Sequence, residues 1–220
     1  MPVWIFRFGD IFDPDDPLSI WICTLGIAFN DMIHTNEKIE QATVAWERFY
    51  EWRVAVAHFN EACLHLERAR NIDQVQEFLN SEPEVHEKYE ALLRNYSEIK
   101  SITNRLRSEA TFHYPYKKGR DAVALALREL RDEDGAVGAV VSNRIRDSRQ
   151  FYADDIVAHL VWNAAGGSEE AFESAATELG EAVASFGKFA NAALDAFFVQ
   201  HRDALRLGEA TTTERGASGH

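Results

Sequence analysis

Apolar residues return every three or four positions through most of this chain, the spacing that lines one face of an α-helix. Over residues 17–36, Trp21, Leu25, Ala28 and Met32 form such a stripe, with Ile22, Phe29 and Ile33 beside it, and the helix is expected to be buried on most sides. Val44, Phe49, Trp52, Val56, Phe59, Cys63 and Leu66 mark a second helix over 37–70. No Gly or Pro separates the two, so their continuity stays open, with Asn36 the place where a break would let the second fold back. A short helix is predicted over 72–80. The cleanest pattern follows over 83–110, through Val85, Tyr89, Leu92, Tyr96, Ile99, Ile102 and Leu106, and Pro115 ends it near His113.

A shorter helix is predicted over 119–132, another around Phe151 to Trp162 that stops at Gly166 and Gly167, and a last, Ala-rich one over 168–207. Ahead of all these, residues 1–16 alternate Trp4, Phe6 and Phe8 with other residues and end in Asp-Pro-Asp-Asp-Pro, which reads as an extended arm and then a helix start, Asp16 capping and Pro17 in the first turn. Residues 208–220 are small and polar and are expected to be disordered. The pattern predicts an all-α chain: one domain over 17–207, an antiparallel bundle of four to five long helices plus short ones.

Composition narrows the class. With 46% apolar and 27% charged residues the chain has the balance of a globular protein. Its longest uncharged run, residues 17–30, falls short of the roughly 20 residues that cross a bilayer, so no membrane span is expected. The amino terminus lacks the basic start and apolar run of a signal peptide. Only Cys23 and Cys63 are present, too few for a disulfide framework or a Cys-based zinc site, and a cytoplasmic setting is expected. The aromatic wealth, Trp21, Trp46, Trp52 and Trp162 included, falls at helical spacing and reads as core.

Charge changes the picture in one place. A net charge of −13 argues against a protein whose whole surface grips nucleic acid, because such binding relies on Lys and Arg neutralising phosphates. Residues 94–120 run the other way, with Arg94, Lys100, Arg105, Arg107, Lys117, Lys118 and Arg120 against Glu98 and Glu109, a local balance of +5. Such a stretch can hold an anion. It also fits a solvated helix face beside a basic loop.

Within it lies Asn104-Arg105-Leu106-Arg107-Ser108-Glu109-Ala110-Thr111-Phe112-His113-Tyr114-Pro115, where Arg107 precedes His113 by six positions at the end of a long amphipathic helix. This resembles the HEPN superfamily of helical bundles, whose shared motif is an Arg, four to six residues and a His. The early helix with Asn30-Asp31 and the long helix with Arg53 and His58 are similar too. The resemblance implies metal-independent RNA cleavage at a homodimer interface. Arg107 would contact the scissile phosphate, His113 would transfer protons, and Asn104, Arg105, Lys117 and Lys118 would hold RNA. It also implies a bacterial defence or toxin setting with an antitoxin-like protein partner, and no cofactor.

Two departures stand out: Ser108 follows the Arg where family members often carry Asn, Asp or His, and a six-residue offset turns about 240° on a regular helix. The pair therefore converges only if the helix breaks first or a second subunit supplies one member. A helix-end His bonded to a carbonyl, with a solvated Arg, has the same spacing. The second match, Arg53 to His58, lies in mid-helix among apolar residues and reads as packing.

Two other readings stay open. One is a non-catalytic helical interaction module. The other is a divalent-metal protein, since His58, Glu61 and His65 fall at i, i+3 and i+7 on one face, and Asp155 and His159 at i and i+4 on another.

Overall fold

The computed structural model describes residues 2–105, 127, 130, 139–140 and 149–209. Helix α1 spans Pro17–Gln41, and its start follows from two residues. Pro17 sits where a helix has no N–H to lose, and the Asp16 carboxylate accepts hydrogen bonds from the Leu18 amide at 3.2 Å, the Ser19 amide at 2.9 Å and the Ser19 hydroxyl at 2.9 Å. Partial burial pushes the Asp16 carboxyl up, but the Ser19 and Leu18 bonds and the attraction of His201 outweigh it and hold the group below its usual range.

The break between the first two helices falls at residues 42–44, not at Asn36. Asn36 stays helical and donates to Glu40 one turn on at 2.9 Å. Ala42 and Val44 are extended, and the β-branched Thr43 and Val44 are poor continuations of a helix. The short connection lets α2, Ala45–Ala69, pack back along α1.

α3, Asp73–Ser81, is stitched to the end of α2 by the Gln76 amide donating to the Ala69 carbonyl at 3.2 Å. After Glu82, Pro83 opens α4, Pro83–Arg105. The part of the third predicted long helix beyond Arg105 lies outside the described residues, as does nearly all of the helix predicted over 119–132. Two short strands, β2 (Ala139–Val140) and β3 (Arg149–Gln150), pair antiparallel. α5, Phe151–Ala165, stops where the spacing placed it. Gly166 (φ 121°) and Gly167 (φ 74°) take backbone angles that disfavour a side chain, their amides bond back to the Asn163 and Trp162 carbonyls, and a Cβ on Gly166 would meet the Ala171 Cβ at 2.9 Å.

The last helix, α6, spans Glu169–Gln200 with Ser168 as its cap. It is shorter than the 168–207 expected, because a 3-10 turn at Arg202–Ala204 leads into strand β4, Arg206–Glu209. β4 pairs antiparallel with β1, Pro2–Ile5, in the register Pro2 to Glu209 and Ile5 to Arg206. The arm is thus extended, as the sequence suggested, but Gly208 and Glu209 belong to this ladder rather than to a disordered tail. Residues 210–220 lie outside the described residues. Phe6 and Phe12 then tuck the arm onto Phe197 and Phe198 at the end of α6, with ring centroids 5.5–6.3 Å apart.

The chain is all-α apart from these short ladders, and one core joins its helices. Phe189 of α6 lies 6.3 Å from Trp21 of α1 and 5.6 Å from Tyr89 of α4. Trp21 also meets Phe78 of α3, and the Tyr89 hydroxyl donates to the Leu66 carbonyl of α2 at 2.8 Å. Among the described residues α6 alone is long and apolar enough to cross a membrane by length and composition. It packs on α4 and α1 and buries Leu179, Phe186, Phe189 and Phe197 in the shared core. Two expectations need correction. α1 is not buried on most sides, since Ile20, Ile27 and Ile33 are exposed, and Trp162 is a surface residue stacked on Phe172 rather than core.

Candidate functional site

The basic segment grows out of α4, whose apolar stripe from Val85 to Ile99 is buried against α2 and α6. That burial fixes the helix and aims its C-terminal end. Thr103 is fully buried and Asn104 is exposed in the last turn. Arg105 is the last described residue of α4, its side chain outside the described part, and Arg107, His113, Lys117 and Lys118 lie outside the described residues. Of the predicted RNA-directed set, the structure therefore places Asn104 and the backbone of Arg105.

Two cations of the stretch are placed, and they differ. Arg94 is exposed. Lys100 is engaged: its ammonium lies 2.6 and 2.7 Å from the two Glu67 carboxylate oxygens of α2 and 5.6 Å from the centre of the Tyr96 ring. Its charge is spent on the α2–α4 contact, so it adds little to an anion site.

Beneath this pair sits a small polar core. The Tyr96 hydroxyl donates to Asn60 Oδ1 at 2.9 Å, both residues being fully buried, and Cys63 and Thr103 adjoin them. Burial, then the neighbouring Cys63 and Glu67, push the Tyr96 phenol up, and burial pushes the Cys63 thiol up. Both groups are neutral at physiological pH and serve packing. A cavity of only about 10 Å³ adjoins Thr103, between Trp52, Ile102 and Leu179. It is room for one water at most.

The His and Glu residues proposed as a metal set are not gathered into one. His58 Nδ1 faces Asp31 Oδ2 of α1 at 3.6 Å, His65 stacks on Trp21 with centroids 6.4 Å apart, and Glu61 is exposed. Among the described residues no three His, Cys, Asp or Glu are grouped to hold a metal ion. The helical spacing was right, but tertiary neighbours pull the side chains apart: Trp21 draws in one imidazole and Asp31 the other. The Asp31–His58 pairing joins the two early helices that figure in the resemblance. Spacing gave no sign of it, because it crosses the α1–α2 turn.

His65 yields a pH effect. Burial lowers its pKa, contact with the Trp21 backbone opposes this, and Arg68 lowers it further, for a net depression below the ordinary value near 6.5. The unfolded chain then takes up the proton first, so this contribution is intact above about pH 6.5 and is lost as pH falls below it. Thermal unfolding across that range is expected to show a smaller pH slope in His65→Phe than in the parent; equal slopes would remove His65 as the cause.

A second feature lies on the opposite side of α1. A groove of about 490 Å³ opens between the arm and α1, lined mainly by Phe8, Phe12, Pro14, Ile20 and Cys23. It is apolar and shallow, with no charged group but Asp13 at its edge. Comparison with protein-family models, curated proteins and solved structures finds no match to this chain.

Proposed function

We propose that this chain is a HEPN-like, RNA- or nucleotide-directed protein acting as a metal-independent ribonuclease. The observation that carries the reading is the concentration of positive charge over 94–120, running from the exposed Asn104 end of α4 through Arg107 and His113, in a chain of net charge −13. An anion is drawn to that end and repelled elsewhere.

In this reading Arg107 grips non-bridging phosphate oxygens with its planar, permanently charged fork, and His113 takes the proton of the RNA 2′-hydroxyl. The 2′-oxygen attacks phosphorus, the bond to the 5′-oxygen breaks, and that oxygen leaves with a proton from an imidazolium. The products are a 2′,3′-cyclic phosphate and a 5′-hydroxyl end. Of the two ways to bring the pair together, this reading takes the homodimer, which sets Arg107 of one copy beside His113 of the other. Asn104, Arg105, Lys117 and Lys118 guide the strand. An antitoxin-like protein partner in bacterial defence belongs to the same proposal.

Purified protein is expected to cleave single-stranded RNA in EDTA, leaving cyclic phosphate ends. His113→Ala is expected to lower the rate at least about a hundredfold, the usual worth of a positioned acid–base group, with helicity unchanged. Full activity in that variant would refute the role. The exposed apolar groove beside Phe8 and Ile20 favours a second reading, a non-catalytic helical interaction module. Complete inertness toward RNA would leave that one standing.

A further inference from the structure

We draw no further inference here: the strongest candidate, the apolar groove of about 490 Å³ between the arm and α1 with exposed Phe8 and Ile20 on its walls, carries none, because nothing in the structure shows what covers it.

Discussion

Replacing Phe189 by Ala is expected to cost about 3–5 kcal/mol of folding stability, lowering the melting temperature by roughly 6–20 °C for a chain of this length. The ring is fully buried on α6 and touches Trp21 of α1 and Tyr89 of α4. Its loss leaves a void where three helices converge. Collapse into that void is hindered on the α4 side, because the Tyr89 hydroxyl is tied to the Leu66 carbonyl. Phe12, half-buried at the chain's end, makes a comparison, and Phe12→Ala should cost less because the arm can shift. Urea unfolding of both variants checks the order. Equal losses would mean that the core does not converge on Phe189.

Tyr96→Phe should also destabilise, by about 1–3 kcal/mol, and the sign of a double variant makes the test sharp. The hydroxyl donates to Asn60 Oδ1, while Asn60 Nδ2 is buried without a hydrogen-bond partner among the described residues. Removing the hydroxyl alone leaves the whole buried carboxamide without its one located partner. Asn60→Leu alone takes away the hydroxyl's acceptor and leaves it only Thr103. Replacing both removes the hydroxyl and the unmet carboxamide at once with a side chain of the same branching as Asn60, so the Asn60→Leu/Tyr96→Phe chain should be close to the parent in stability and better than the sum of the singles. A double variant no better than the sum of the singles would show that the pair is not an isolated unit, with Thr103 or Cys63 sharing its bonds.

Much of the scaffold was legible from local chemistry. Asp16-Pro17, Pro83 and Gly166-Gly167 act within a few residues of themselves, and the structure places helix ends at each. The break after α1 was misplaced because Asn36, a common breaker, found a helical partner in Glu40, while at the actual break the β-branched Thr43 and Val44 follow Ala42, whose carbonyl accepts from the Arg48 guanidinium. What escaped depends on distant partners. An alternating segment such as Pro2–Ile5 does not announce that its ladder partner is Arg206–Glu209. Ile20 and Ile27 lie round α1 from the stripe that holds Leu25, and because apolar residues occur on every side of this helix, only the placing of α2 and α6 shows which of them stay exposed. For the candidate site, the sequence nominated Arg107 and His113 by spacing within a basic stretch, both outside the described residues, and the structure adds the setting of Asn104 and the engagement of Lys100 by Glu67. His58 and His65 illustrate the limit of spacing arguments: they share a helical face, yet one sits by a carboxylate and the other on an indole.

The β1–β4 ladder fixes a sequence of events at the ribosome. Synthesis runs amino end first at about 5–20 residues per second, so the arm is out for on the order of ten seconds or more before its mate is made. Through that interval Phe6 and Phe12 have neither Phe197 nor Phe198 to rest on. Closing so long a loop is entropically costly, so this clasp forms late, after the helices have brought their ends together. A nascent chain halted within α6 would display those rings to chaperones.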